Sequence, residues 1–357
     1  MTQGRWVGVD VFRGFTMIGM IGMIGEGFGL RYLQAFPAFA WIAPQFEHAD
    51  WHGMTAWDLI QPFFMFIVGL VMPVSFAKRW QSGEAWTQSL RHVLRRSALL
   101  IAFGLLARSL QAGRPVIDLI NVLAQIAFTY LVAFLLLRHS WRVQALAALA
   151  LLAVHWALYQ FVPLPGVTGP FDKNANVGWA LDGLLLGKHW GGGYATINGL
   201  SSAANTIAGV LAGQLLAGST SFSRQARLLL SSAIVLIALG LALNPIIPIN
   251  KKIWTASFAF ASIGCTLLAL LFFQWLCETR PRPRWTEVCL IVGANSIFIY
   301  LFHEILHRWL LQSGRVFTGW AVDWWGDPAK ALNILLVTAF EIWVCWWLYQ
   351  RKIFFKL

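Results

Sequence analysis

Apolar runs of roughly 20 residues, the length needed to cross a ~30 Å hydrocarbon core, recur from one end of this chain to the other. Nothing else in the sequence narrows the fold as much. Lipid offers no hydrogen bonds, so each spanning segment must satisfy its own backbone, and successive runs fold as a bundle of helices. The composition agrees: 58% of the 357 residues are hydrophobic and 12% are charged, about half the charged share of a soluble domain. The expected fold is an all-α membrane protein, a polytopic bundle of about ten transmembrane helices in a single domain over 1–357. The spans are placed at about 11–30, 56–77, 93–112, 116–137, 142–162, 193–217, 228–246, 253–277, 287–307 and 329–350. Between them the segments are short except 31–55, 163–192 and 308–328, with no inverted repeat and no soluble domain.

The formal net charge of +12 would suggest a nucleic-acid partner in a soluble chain. Here the basic residues sort by side instead. Sixteen Lys and Arg fall at residue 5 and within 78–96, 138–142, 224–227, 280–284 and 351–356, and nine fall in the alternate loops. Arg13 and Arg108 lie within spans. The excess marks the cytoplasmic side, which puts both termini there and excludes nucleic acid. Segments 31–55, 163–192, 247–252 and 308–328 then face the periplasm of a bacterial inner (plasma) membrane, or an equivalent lumen. Ala38-Phe39-Ala40 has the form of a cleavage box, but Asp10, Arg13 and Glu26 interrupt the preceding apolar core, so the first helix is read as retained. Cys265, Cys277, Cys289 and Cys345 show no paired spacing and read as small core residues.

The stretch from Gln45 to Pro62 gathers Glu47, His48, Asp50, Trp51, His52, Trp57 and Asp58 at the mouth of the second span. Titratable groups beside lipid usually have a partner or a task. The structural alternative is an interfacial loop anchored by its tryptophans. Thr55 precedes Asp58 by three, a capping-box spacing, so Asp58 reads as a helix cap that steadies the loop before it.

Glycines at 14, 19, 22, 25, 27 and 29 leave the first span bare, for close helix packing or for a slender ligand. Asp10 and Arg13 are spaced to pair with each other. In the ninth span Ser296, Tyr300, His303 and His307 share a narrow stripe, flanked by Asn295 and Glu304. Such a stripe faces the bundle interior, to hydrogen-bond between helices or to line a site. His303-Glu304-Ile305-Leu306-His307 also satisfies the H-E-x-x-H string of zinc proteases. A third ligand and an open cleft would be needed; the flanks are apolar, and no metal is assigned. The segment from Asn244 to Thr255 carries Asn250, Lys251 and Trp254 between two spans. It either terminates one helix and anchors the next or offers cationic donors to a polyhydroxy ligand. His189 to Tyr194 is a glycine turn with aromatic faces, suited to sugar rings and equally to an interface.

Several separated blocks resemble the heparan-alpha-glucosaminide N-acetyltransferase family of multipass transmembrane acyltransferases. They are Val9 to Gly14, His48 to Asp58, Pro62 to Gly69, Val122 to Tyr130, Pro248 to Trp254, Asn295 to Ile297 with His303-Glu304, and Tyr349 to Lys356. The resemblance implies transfer of acetyl from cytoplasmic acetyl-CoA to the amine of a glucosamine-type amino sugar, or to a sugar hydroxyl, on the far side. It gives the role of active histidine to His48, as general base or as acetyl carrier, and it reads His303-Glu304 without zinc. The chain differs from the lysosomal member in lacking its long N-terminal lumenal region and leading helix. It also has a shorter 163–192 loop and His52 where the family carries Asn.

In this reading Glu47 or Asp50 orients the His48 ring and Asn295 stabilises the oxyanion. The CoA phosphates fall to Arg91, Arg95, Arg96, Arg138, Arg142, Arg280, Arg282 and Arg284, since a guanidinium matches phosphate bidentately. The acceptor meets Trp51, His52, Asn250, Lys251, Trp254, Ser296, His303 and Glu304. The pantetheine arm runs along the glycine face of the first helix. Membrane lipid surrounds the bundle, and a homodimer is left open. A competing class is a proton-coupled sugar transporter of N-acetylglucosamine type, with His48, His303 and Glu304 as its relay. A purely structural scaffold leaves the titratable groups unexplained.

Overall fold

The computed structural model describes residues 6–23, 27–218, 221–279 and 281–355. Arg280, one of the expected phosphate ligands, lies outside them. Among the described residues thirteen α-helices follow one another: α1 Val7–Met23, α2 Pro37–Ala40, α3 Ile60–Gln81, α4 Trp86–Ala112, α5 Val122–Leu136, α6 Trp141–Phe161, α7 Val177–Leu186, α8 Asn198–Ala217, α9 Phe222–Leu243, α10 Ala256–Glu278, α11 Trp285–Ala294, α12 Ser296–Trp325 and α13 Lys330–Gln350. Short 3-10 turns lead into several of them, including Trp57–Leu59 directly before α3. Among the described residues there is no strand; one bridge pairs Gly53 with Asn250.

Six helices are long and apolar enough to cross a membrane, or up to eight if each bent pair is one span, where the sequence suggested about ten. The two that fall short are α4 and α5. No 18-residue stretch of α4 holds fewer than three of Arg91, Arg95, Arg96 and Arg108. α5 has 15 residues, because the segment expected to begin at 116 stays irregular until Asn121 accepts the Ala124 N–H at 2.9 Å and caps the helix.

Other boundaries also move. The expected ninth span bends by 81° between α11 and α12. At the break, the Asn295 side chain donates to Ile353 O and accepts from Phe355 N, both at 3.0 Å. The expected loop 308–328 is helical through Trp325, since Leu310, Gly314, Thr318 and Ala321 continue one buried face. The expected loop 163–192 contains α7.

The bundle closes on small residues. Gly209 and Gly213 of α8 lie against the carbonyls of Phe66 and Leu70 on α3, and Gly69 of α3 lies against that of Thr206. Gly14 of α1 meets the Cys289 carbonyl on α11 in the same way, and Gly22 meets the Phe28 ring. At Gly14 and Gly22 the bare face of the first helix is thus filled by protein; Gly25 lies outside the described residues. Helices in lipid gain by such backbone approach.

A Cβ at Gly209 would stand 2.0 Å from Phe66 O, so Gly209→Ala must push α3 and α8 apart. It should cost about 1–3 kcal/mol, read as a lower melting temperature of the detergent-solubilised protein. Gly319→Ala, where a Cβ meets nothing within 4 Å, should hold or slightly raise it.

Candidate active site

The loop before α3 folds back on the helix start and is held there by Asp58. The carboxylate, 1% exposed, is fully engaged. Its Oδ1 accepts from His48 Nδ1 at 2.7 Å. Its Oδ2 accepts from Thr55 N at 3.0 Å, Thr55 Oγ1 at 3.1 Å and Ala49 N at 3.3 Å. Only the carboxylate arm of the expected capping box forms: the Thr55 hydroxyl donates to Glu47 O at 2.6 Å as well as to Asp58. Asp58 is therefore the residue that orients His48. Glu47 and Asp50 are not. Glu47 sits 3.8 Å from Arg31, and the Asp50 side chain, 90% exposed, pairs with Lys173 at 2.9 Å.

A second loop meets the first. Gly53 N donates to Ile249 O at 2.8 Å. Asn250, fully buried, accepts from Lys252 N at 2.8 Å and Ile253 N at 3.2 Å through Oδ1. This side-chain turn places the Lys251 ammonium 3.4 Å from both ring nitrogens of His48 and 3.9 Å from Asp58 Oδ1. The Lys252 ammonium donates to Asp50 O at 2.5 Å. The Trp57 ring stacks obliquely 5.1 Å from His48. Trp51 donates to Phe171 O at 2.7 Å and packs on Gly193, while His52 is exposed beside it.

Carboxylate, imidazole and ammonium thus form one connected group. Burial, and then the Lys251 charge, push the His48 pKa down to about 4, with Asp58 pulling the other way. Burial pushes Lys251 down to about 8, against the support of Asp58. Near neutrality the group holds a neutral ring, a carboxylate and an ammonium. With its proton on Nδ1, donated to Asp58, the ring offers the Nε2 lone pair. Tyr194, from the loop before α8, comes close enough for the Asp58 charge to add to the burial that pushes its hydroxyl up to about 12.

The other expected site residues lie elsewhere. Trp254 is buried, donating to Asn205 Oδ1 at 3.1 Å, so it cannot stack on a sugar. Asn295 spends its amide on the C-terminal tail and cannot serve an oxyanion. Ser296 donates to Gly293 O at 2.7 Å. His303 pairs with Glu341 of α13 at 2.9 Å, and Glu304 accepts from Gln111 of α4 at 2.7 Å. Among the described residues, no hydrogen bond or ring contact links His303 or Glu304 to His48.

A cavity of about 460 Å³ lies within the bundle. α1, α3, α4, α5, α11 and α12 line it, with Phe64, Val122 and Tyr300 towards the His48 end and Ser75, Phe76 and Phe355 towards the other. From Phe64 to Ser75 is about 17 Å of helix. Two guanidiniums line it, Arg13 one turn before Met17 on α1 and Arg96 one turn before Leu100 on α4. Arg13 also pairs with Asp10 at 3.0 Å, as its spacing suggested, and Arg96 lies over the Tyr130 ring at 4.9 Å. Of the other expected phosphate ligands, Arg91, Arg95, Arg138, Arg142, Arg282 and Arg284 are exposed and outside the lining; Arg138 covers Trp80 at 4.5 Å. The cavity stops short of His48: Gln61, buried and bonded to Gln125, stands between Phe64 and Asp58 on α3.

Bundle, cavity and titratable mouth describe a multipass membrane protein with a connected cluster of titratable groups beside a cavity. Residues 5–171 match the family model for the catalytic region of heparan-alpha-glucosaminide N-acetyltransferase. The mouse protein of that name is 25% identical over 98% of this chain, and the human protein 24% over 98%. The chain spans about 60% of the length of the mouse relative and 59% of the human one. These matches support a heparan-alpha-glucosaminide N-acetyltransferase-like family member, as the sequence blocks indicated. The matched region holds His48, Asp58, Arg13 and Arg96; Lys251 lies beyond it.

The His48 pKa should move in opposite directions on either side of the group. Lys251→Met removes a cation that lowers it and should raise it; Asp58→Asn removes an anion that raises it and should lower it further. Glu47→Gln should leave it in place. The pH dependence of carbethoxylation of His48, located by mass spectrometry, reads all three.

Proposed function

We propose that the protein moves an acetyl group from acetyl-CoA to the amine of a glucosamine-type sugar, or to a sugar hydroxyl, at the His48 mouth. The observation that carries this reading is the Asp58–His48–Lys251 group, standing beyond a cavity lined by two arginines. In this reading the CoA phosphates sit at Arg13 and Arg96 on the cytoplasmic side. The pantetheine arm fills the cavity, and the thioester passes Gln61 to reach the mouth, which faces the periplasm or lumen.

The acceptor nitrogen attacks the thioester carbonyl carbon. His48 Nε2 takes the proton from the attacking amine as the N–C bond forms, and Asp58 holds the resulting imidazolium. The carbonyl electrons move onto oxygen, next to the Lys251 ammonium. Collapse breaks the C–S bond, and His48 returns the proton to the departing sulfur. The products are an acetamide and free CoA. Lys251 makes the base responsive to the reaction: its charge depresses His48 at rest, and an oxyanion that answers that charge restores basicity while the proton is moving.

The transporter reading asks His48, His303 and Glu304 to act as one relay. Their separate bonding to Asp58, Glu341 and Gln111 gives that chain no continuity.

His48→Ala should lower the rate of acetyl transfer from acetyl-CoA to glucosamine by roughly two to four decades; an undiminished rate removes His48 from the chemistry. CoA should raise the melting temperature through ligand linkage, and Arg96→Ala should weaken that response by roughly 10- to 100-fold in CoA concentration. A protein indifferent to CoA is not an acyltransferase of this type.

The pH profile follows from the two shifts. Activity should fall as pH drops through about 4, where His48 gains a proton. It should fall again as pH rises through about 8, where Lys251 loses one. The two limbs belong to the coupled pair. Lys251→Met should abolish the alkaline limb and carry the acid limb upward.

A further inference from the structure

The H-E-x-x-H string in α12 is left without a task by acetyl transfer. Its first glutamate is turned away: Glu304 accepts from Gln111 of α4 through both its carboxylate, at 2.7 Å, and its backbone carbonyl, at 2.8 Å. The two histidines, four residues apart, share a helix face, their ring centroids 4.1 Å apart. A third donor comes from the facing helix: Glu341 of α13. One ligand atom from each of His303, His307 and Glu341 can be chosen so that all three lie within 4.8 Å of one another.

We propose that His303, His307 and Glu341 form a binding site for a divalent transition-metal ion of the zinc type, clamping α12 to α13. Two imidazoles and one carboxylate are the donors such an ion takes, and they suit Mg²⁺ or Ca²⁺ poorly, since those ions prefer all-oxygen shells. An ion with bonds of about 2.0–2.1 Å in tetrahedral geometry holds its donors about 3.3 Å apart. The three atoms therefore need to close by at most about 1.5 Å, within the reach of side-chain rotation.

A second observation points the same way. His303 and Glu341 are 0% exposed, and each keeps one buried polar atom without a hydrogen-bond partner, His303 Nε2 and Glu341 Oε2. His303 Nδ1 and Glu341 Oε1 already face each other at 2.9 Å, close to the separation a shared ion imposes, so an ion held by both replaces their hydrogen bond, and the second carboxylate oxygen can turn onto it. His307 is partly exposed, with both ring nitrogens buried. A fourth position remains for a water.

This site is not a second hydrolytic centre. Glu304, the base in the protease pattern, is held by Gln111, and no cleft opens on His303. Its effect is on α12, whose Ser296, Ile297 and Tyr300 line the cavity one to two turns away. The inference does not depend on the acetyl-transfer reading.

The test is stoichiometric. Full-length protein in detergent is stripped with a chelator, then titrated with ZnCl2 while bound zinc and the melting temperature are followed. The expected result is one equivalent bound, with a rise in melting temperature that the chelator reverses. His307→Ala, a change at the partly exposed edge, should weaken zinc binding at least about 100-fold, and Glu341→Gln should do likewise. Glu304→Gln should retain the full equivalent. Co²⁺ in place of Zn²⁺ should give the intense visible bands of a tetrahedral site, absent in His307→Ala. Wild-type protein that takes up no stoichiometric zinc overturns the proposal, and so does zinc held equally well by His307→Ala. Acetyl transfer, assayed separately, can survive either outcome, so failure here leaves the acyltransferase reading standing.

Discussion

The bond from His48 Nδ1 to Asp58 Oδ1, 2.7 Å long, is the contact on which the loop before α3 depends. A carboxylate that is 1% exposed is tolerated only when its lone pairs are answered. Asp58 meets that demand by recruiting the loop before it. One oxygen takes the imidazole; the other takes the backbone of Ala49 and both donors of Thr55. Removing the imidazole leaves a lone pair of the buried carboxylate unanswered, at a cost of about 1–3 kcal/mol. The same need that orients the His48 ring therefore folds the loop.

The second constraint is the lipid. Polar groups at membrane depth persist where they line a cavity or meet each other. This explains why α4 and α5 depart from the pattern of uniform apolar spans. α4 carries its arginines because Arg96 faces a cavity, and α5 starts late because Asp118 and Asn121 serve bonds at its mouth: Asp118 accepts from Arg108 at 2.7 Å. The close backbone contacts of α3 with α8, and of α1 with α11, take up the small residues. The cavity opens along the Met17 and Arg13 side of α1.

Much of this could be read before any coordinates. The apolar period gave the helices, and the gathering of titratable groups picked out His48 and its neighbourhood. Lys251 was singled out from a two-proline segment. What could not be read was partnership. Glu47, Asp50 and Asp58 are equally plausible supports for His48 by spacing, and burial decides among them: the two exposed carboxylates find lysine or arginine, and the buried one finds the ring. Asp58 was visible as a cap, a reading half right, since a helix-start carboxylate with two oxygens can cap with one and orient with the other. Trp254 is buried with its indole donated to Asn205 of α8, and Asn250 is buried with its side-chain oxygen closing its own turn. Arg13 was assigned wholly to Asp10, although a guanidinium with five donors can serve a salt bridge and a cavity at once.

The state of the mouth bears on which class of protein uses it. A proton relay needs an imidazole that is charged for part of each cycle, and therefore a pKa near the pH on one side of the membrane. Burial and the Lys251 charge both lower the His48 pKa, which favours the neutral ring. The apparent weakness of such a base is tied to Lys251, the same group that is placed to meet an oxyanion. In the proposed reaction an oxyanion beside Lys251 would partly cancel the ammonium's field on the ring while the Asp58 bond remains, so that base strength would rise in the step that requires it. A cation that served only to bind an acceptor would leave the imidazole suppressed throughout. Its position 3.4 Å from both ring nitrogens makes the charge of Lys251 and the basicity of His48 a single variable.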